Sequence, residues 1–296
     1  MIYLVCEGKS DLLDRKVLEL IIVNHCHKNV KFESVGGDSS LKSVARWLEA
    51  TSENIHRAYV IEDRNFRPLS VAEQTWNDPN RKNFIWRRHE IENYLLDPRI
   101  IAAAFQALKA SGVRGSDALP MTDQTVLGLL KTLARPMLEY HAGKLTFEEV
   151  QDKHRQMRVS LCGPDEGDLL SQSASGISYP DRTGWLTYFE TECTRLKQAC
   201  QNLIADVQCD ISVVEKLYDN NLSRLNTPLF FDQQLFLCEM GGHELMSQLL
   251  RYLNNELRLG ISRPVLTKGL LEALDRLYQP GFFVPDDFQE LAAKLS

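Results

Sequence analysis

Ile2-Tyr3-Leu4-Val5-Cys6 is an apolar run too short for a helix and rich in β-forming residues, and it ends on Glu7-Gly8. A segment of this kind reads as a buried strand. An amphipathic run begins at Leu12, with Ser10 or Asp11 in the N-cap position. Strand, acid, tight turn, helix: this order points to an α/β architecture. It sets Glu7 at the carboxyl end of a strand, where open α/β sheets carry their chemistry. A structural strand has no need of a carboxylate at its exit, although Glu7 also fits as the first solvated residue after the strand.

The pattern then repeats. Leu13, Val17, Leu20 and Ile21 recur at helical spacing, and Val30 to Val35 alternates as a strand does before stopping at Gly36-Gly37. Asp38-Ser39-Ser40 offers caps for a helix with Leu41, Val44, Ala45 and Leu48 on its apolar face. Ala58 to Ile61 is a third strand that exits into Glu62-Asp63-Arg64-Asn65. After a polar loop, Asn83 to Trp86 reads as a fourth, running into Arg87-Arg88-His89-Glu90-Ile91-Glu92-Asn93-Tyr94-Leu95-Leu96. The alternation β-α-β-α-β-β predicts an α/β fold with a mostly parallel four-stranded sheet flanked by helices. Glu7 and Asp63 then stand at carboxyl ends of two strands and are expected to converge at one edge.

Residues 1–97 are expected to form this core and residues 98–296 a largely α-helical remainder. A segment around 229–258 is a candidate for a short return to the core. Asp97-Pro98 starts a helix that fades at Ser111-Gly112. Helices are expected over Gln124 to His141, over Thr146 to Met157 with a capping-box spacing at its start, and from Ser212 to about Leu225. Others follow from Met240-Gly241-Gly242, Pro264 and Pro285. Ser160 to Gly184, rich in Gly, Ser, Asp and Pro, reads as a loop. Phe189, Cys193, Leu196, Cys200, Leu203 and Val207 form a short heptad seam, packed inside its domain or against another subunit.

A net charge of −6 argues against a protein that coats nucleic acid by electrostatics alone. It leaves room for an enzyme acting on nucleic acid, because carboxylates that hold a divalent cation make a site acidic before the metal binds. The seven cysteines are scattered without a Cys-x-x-Cys pair, a reduced pattern. His25-Cys26-His27 lacks a second half at ligand spacing and reads as a helix end and its loop. No signal peptide precedes the first strand and no apolar run reaches membrane-spanning length, so a cytoplasmic protein with no membrane partner is expected.

Val5-Cys6-Glu7-Gly8-Lys9-Ser10-Asp11 resembles the opening of the TOPRIM (topoisomerase–primase) domain, whose first strand delivers a glutamate before a glycine. That family's third strand delivers an Asp-x-Asp pair. Here Asp63 matches the first acid, and Asn65 stands where the second would be. An amide oxygen can ligate Mg²⁺ but brings no charge. The Glu-Asn-Tyr-Leu core at Glu92 to Leu95 is similar to a subgroup of bacterial TOPRIM proteins encoded beside ABC-type ATPases. Met240-Gly241-Gly242-His243-Glu244-Leu245 resembles its late Gly-Lys-x-Leu helix start, with His243 where lysine is commoner. Within that subgroup the chain looks most like the nuclease effectors of PARIS-type phage-defence systems. The match covers about the first hundred residues and these later fragments.

The resemblance implies a metal-dependent nuclease using Mg²⁺, with Mn²⁺ as an alternative. It also implies an ABC-type ATPase sensor subunit that holds the effector, release and homodimerisation on triggering, and cleavage of host tRNA, notably a lysine tRNA. Glu7 would be the acid/base or a ligand, Asp63 the principal ligand, and Asn65, Asp11 and Glu92 auxiliary ligands. Lys9, Arg64, Arg87 and Arg88 would contact substrate phosphates. Each has a plainer alternative: Asp11 as a helix N-cap, Asn93 as a loop tie, and the cations as solvated surface. Glu90 and Glu92 lie two apart and are expected to point in different directions, with Glu92 toward the site. The rival functions are a DNA endonuclease with the same site, a non-catalytic ATPase-binding subunit, and a primase-like enzyme, which the missing zinc-type cysteine set disfavours.

Overall fold

The computed structural model describes residues 2–7, 13–25, 30–35, 38–51, 57–161, 171–173, 176–178, 190–191, 193–195, 197–198, 200–201, 211–278 and 286–295. For residues 7, 24–25, 38–40, 51, 151–161, 171–173, 176–178 and 286 it describes the backbone alone. By their contacts these residues fall into two units, Met1–His141 with Asn226–Ser296, and Ala142–Leu225.

The first unit is built on a four-stranded sheet in the order β2-β1-β3-β4, with every pairing parallel. Its strands are β1 (Ile2–Glu7), β2 (Val30–Val35), β3 (Arg57–Glu62) and β4 (Asn83–Ile85). Helices α1 (Leu13–His25) and α2 (Asp38–Thr51) make the first two crossovers. Leu4, Val5 and Cys6 in β1 and Ala58 to Glu62 in β3 are buried, as central strands covered on both faces must be. Side chains alternate between faces along a strand. Val5, Ala58 and Val60 accordingly share a core with Leu41, Ala45 and Leu48 of α2.

The stretch read from sequence as a polar loop before β4 contains a helix, α3 (Leu69–Asn77). A parallel β3–β4 pair needs a crossover, and α3 supplies it. Only Ala72, Thr75 and Trp76 of this helix are buried, so its apolar signal is faint. Those residues also close the sheet edge: Trp76 Nε1 donates to Ile85 O at 2.7 Å and Ile85 N donates to Thr75 Oγ1 at 3.1 Å. Side chains thus satisfy the edge groups that would otherwise invite another strand.

After β4 come α4 (Glu92–Leu95) and α5 (Pro98–Ala110), the latter capped by Asp97, whose side chain accepts from Arg99 N. α6 (Asp123–Ala134) and a 3-10 turn at Arg135–Met137 lead into α7 (Leu138–Leu161). The helix start expected at Thr146 is absent, for α7 runs straight through it. Thr146 Oγ1 donates to Ala142 O at 2.8 Å instead of capping, which a threonine inside a helix can do. Of Ser160 to Gly184, the first two residues end α7, and β5 (Ser171–Ser173) pairs antiparallel with β6 (Gly176–Ser178). The others lie outside the described residues. So do Phe189, Leu196, Leu203 and Val207 of the heptad seam, while Cys193 and Cys200 are exposed. In the second unit α8 (Ile211–Leu225) packs on α7, where Asn221 Nδ2 donates to Thr146 Oγ1 and Glu149 Oε1.

The chain then re-enters the first unit through two short helices, α9 (Pro228–Asp232) and α10 (Phe236–Glu239), which bury Phe230, Phe231, Phe236 and Leu237. α11 (Gly242–Asn255), α12 (Arg263–Leu277) and α13 (Asp286–Leu295) complete it. The sheet fold is therefore α/β with a mostly helical remainder, compatible with a TOPRIM-like or Rossmann-like arrangement. Among the described residues no helix is long and apolar enough to cross a membrane.

Arg87, just past β4, fastens α13 to this sheet. Its guanidinium donates to Asp287 Oδ1 at 2.7 Å, Glu73 Oε1 at 2.9 Å and Glu290 Oε2 at 3.0 Å. Asp287 is buried and also accepts from Arg87 N and the Tyr94 hydroxyl. Phe288 packs between Trp86 and Tyr94. Arg87→Ala should therefore strand a buried carboxylate and cost roughly 3–5 kcal/mol in urea unfolding. Glu290→Ala, which removes a 43%-exposed partner, should cost less than about 1 kcal/mol.

Candidate functional site

All four strands end at one carboxyl edge, and register fixes how their exits align. Cys6 pairs with Ile61, so the next residues, Glu7 and Glu62, end β1 and β3 side by side. Asp63 follows one residue beyond. The side chain of Glu7 and residues 8–12, including Lys9 and Asp11, lie outside the described residues.

Two turns stand at this edge and are stitched together by main-chain bonds. The turn after β3 carries Asn65 at φ 51°, a left-handed conformation that asparagine tolerates and β-branched residues do not. Asn65 N donates to His89 O at 2.9 Å, joining it to the turn after β4. His89 N donates to Cys238 O at 2.8 Å, and the same carbonyl accepts from Arg64 Nη2 at 2.7 Å. One acceptor at the end of α10 thus holds both turns.

Asn93 completes the join. Its side chain is fully buried and accepts from Glu90 N at 2.9 Å while donating to Leu237 O at 3.0 Å and Met240 O at 2.8 Å. This is the loop-tying role that its place in the sequence suggested. Gly242 is required beside it, since a Cβ there would come within 2.7 Å of Asn93 N and Oδ1. That close approach brings the start of α11 against Glu90 and Glu92.

The acids gather accordingly. Glu90 Oε2 accepts from His243 N at 2.9 Å and its Oε1 lies 3.2 Å from His89 Nδ1. Glu92 Oε1 stands 3.6 Å from Arg263 Nη2 and 3.8 Å from His243 Nδ1. Both carboxylates therefore face the start of α11, because Glu90 precedes α4 and is not on a common helix with Glu92. Burial tends to raise Glu90, but the His89 contact and the His243 N–H hold its pKa below the usual value. Glu92 goes the other way, raised by burial and then by the Glu90 charge, with His243 and Arg263 opposing. Asp14, in the first turn of α1, is pushed up to about 7 by burial and by the charges of Glu92 and Glu90. The Cys6 thiol rises to about 11, mainly from burial, and it too senses Asp14 and Asp63. Acids from α1, β3 and α4 thus act on one another or on a shared neighbour.

The cations named from sequence are placed differently. Arg64 is buried and bonds to the carbonyls of Cys238 and Arg67. Arg87 is held by its three carboxylates and by the face of Trp76. Arg88 donates to Asn93 O at 2.7 Å and lies over Tyr94. Their contacts tie the fold together. Residues the sequence reading missed are Asp14, Glu62, His89 and Arg263. Glu62 had a signal: it continues the Ala58, Val60 alternation, so its carboxylate falls on the α2 face. Arg263 had none, being far away along the chain.

Mg²⁺ takes oxygen donors, and Glu7, Asp63, Asn65, Asp11 and Glu92 are all of that type. Among the described residues no group of three or more His, Cys, Asp or Glu side chains is close enough to hold a metal ion. A ligand set here therefore needs a contribution from Glu7 or from residues 8–12. Comparison with protein-family models and with curated proteins gives no match.

Asp14→Asn should reveal the charge strain of this edge. Between the usual aspartate pKa of 3.8 and about 7 the folded protein keeps a proton that the unfolded chain has released. Stability must then fall as pH rises through that window, and the cost persists above it. The variant should show a flatter profile of Tm against pH from about 4 to 7 and be more stable than the parent by roughly 1–3 kcal/mol near pH 8.

Proposed function

We propose that the chain is a metal-dependent nuclease of the TOPRIM type, acting on tRNA as the effector of a PARIS-like defence system. The observation that carries the reading is the set of acids drawn from α1, the turn after β3 and α4 to the carboxyl edge where Glu7 also ends its strand. Burial first, and then neighbouring negative charge, raises Asp14 and Glu92, and a cation placed among such carboxylates is favoured. The sequence motifs supply the rest: acid–glycine after β1, Asp-Arg-Asn after β3, Glu-Asn-Tyr-Leu after β4.

In this reading Glu7 and Asp63 hold Mg²⁺ or Mn²⁺, assisted by Asn65, Asp11 and Glu92. The ion would polarise the scissile phosphodiester and offset charge on the leaving oxygen. Glu7, if left unligated, would move the proton between attacking and leaving groups. Lys9 would orient the substrate backbone. An ABC-type ATPase would bind the effector and restrain it, and the released form would act as a homodimer.

A second reading, a non-catalytic subunit that binds the ATPase, gains from Asn65. Its left-handed backbone gives that position a structural reason to be asparagine, with no metal required. Purified protein incubated with Mg²⁺, bulk tRNA and plasmid separates these possibilities. Cleavage of tRNA with plasmid left intact is the expected result, and cleavage of plasmid alone would favour a DNA endonuclease. Glu7→Ala and Asp63→Ala should each reduce cutting about 100-fold or more without lowering Tm; undiminished cutting by both would remove the proposed site. Asn65→Asp keeps the turn and adds a charge, so it should lower the Mg²⁺ concentration needed for half-maximal cleavage.

A further inference from the structure

The two outer strands of the sheet are finished differently. At the β4 edge Trp76 and Thr75 bond the main chain of Ile85. β2 stands at the other end of the order and pairs with β1 alone. A strand with one neighbour leaves a row of N–H and C=O groups directed outward. Among the described residues no main-chain hydrogen bond reaches that outer side of β2.

The side chains along this edge are self-complementary. Register with β1 puts Lys31, Glu33 and Val35 on the face of Tyr3 and Val5, beneath α2, and Val30, Phe32 and Ser34 on the other. Lys31 Nζ accordingly lies over the Tyr3 ring, 5.9 Å from its centre. Lys31 and Glu33 are both exposed, and neither forms an ion pair with another described residue. Arg15 of α1 senses the Glu33 charge, but its guanidinium is already bonded to Glu19 at 2.7 Å. Buried Phe32 separates the two charges.

Two strands paired antiparallel about a two-fold axis set residues of the same face opposite one another, so the axis must pass through a residue. An axis at Phe32 sets Lys31 against Glu33 of the second copy and Glu33 against Lys31 of the second copy. An axis at Lys31 or at Glu33 would set like charges together. Charge thus selects one register. α2 adds apolar surface. Its Glu49 and Lys42 lie on the flank that reaches β3, where Glu49 accepts from Ala58 N at 3.1 Å and Lys42 stands 3.2 Å from Glu62. By helical spacing Trp47 projects from the opposite flank, on the β2 side. It is 61% exposed, an aromatic of the kind enriched at interfaces.

We propose that two copies of this chain pair through β2, edge to edge and antiparallel about Phe32, joining their sheets into one. The Lys-Phe-Glu order meets its own charges in complement when rotated onto itself, a property that a strand docking a different sequence has no need of. This gives the homodimer of the preceding section a surface, and it is independent of the metal site.

The test is sedimentation velocity on the whole, metal-free chain over a concentration series, with Lys31→Glu, Glu33→Lys and the double variant carrying both. The parent should associate reversibly to a dimer. Each single reversal turns two attractive pairs into two repulsive ones and should raise the dimer dissociation constant about tenfold or more. Both side chains are exposed, so Tm should hold. The double variant should regain the parent affinity, and mixing the two single variants should give a heterodimer tighter than either variant forms alone. A parent that stays monomeric throughout overturns the proposal, including the case in which this edge serves a different protein. A parent dimer that the single reversals leave intact also overturns it, because the contact then lies elsewhere. So does a mixture that fails to recover the dimer. None of these readouts involves cutting, so the nuclease reading stands or falls on its own assay.

Discussion

A sheet whose strands all run one way stops every strand at the same edge, and the main-chain groups just beyond it have no ladder to bond to. In this chain that edge is where the acids lie, so the partners found for those groups decide whether the acids are held or loose. The carbonyl of Cys238 serves both turns, accepting from His89 N and from the Arg64 guanidinium. The Asn93 amide uses its oxygen and its nitrogen to join the second turn to Leu237 and Met240. Each bond is modest by itself, yet leaving any of these buried groups unmade costs more than making it contributes. Main-chain satisfaction, more than apolar packing, sets the geometry of the edge.

The electrostatics follow from that geometry. Glu90 is stabilised in its charged form because it meets a backbone N–H at the start of α11 and the His89 ring. Nearby Glu92 and Asp14 bear the consequence, since each is raised by burial and by the charge Glu90 retains. Glu62 sits apart from this conflict, neutralised by Lys42 and Arg67. The edge thus holds two kinds of carboxylate: a paired one that organises a turn, and a group in mutual repulsion. A net charge of −6 for the chain is no obstacle to binding a polyanion when the local imbalance is one that a divalent ion can correct.

How much of this could be read from the sequence depends on the range of the interaction involved. β1 to β4 were legible because a buried parallel strand is a short apolar run bounded by turn residues, and α2 because its apolar positions keep a helical period. The cap at Asp97 was legible because capping is local. α3 was not, since only Ala72, Thr75 and Trp76 face inward and its polar positions dominate the pattern. The false start at Thr146 shows the reverse error: a capping-box spacing also occurs inside a continuous helix when threonine bonds back to the preceding turn. At the edge itself Asp63 and Asn93 announced themselves through motif and position. Arg64 and Arg87 read as substrate-phosphate contacts or as solvated surface, and nothing local reveals that Cys238 O and Asp287 await them. Contacts 174 and 200 residues apart leave no periodic trace.

The same long contacts explain why the first unit is discontinuous. The chain leaves it after His141 and rejoins it at Asn226, and once past α9 the returning segment presents the Leu237, Cys238 and Met240 carbonyls to the two turns. Gly242 then admits α11 close enough for His243 N to reach Glu90. Remove that segment and Arg64, His89 N and the Asn93 amide lose acceptors that nothing in the sheet can replace. The sheet dictates where the strands end; the last quarter of the chain fixes what stands there. A fold that could be closed by strands and crossovers alone has instead made its carboxyl edge depend on both, which is the arrangement expected when the position of a few side chains matters more than economy of chain.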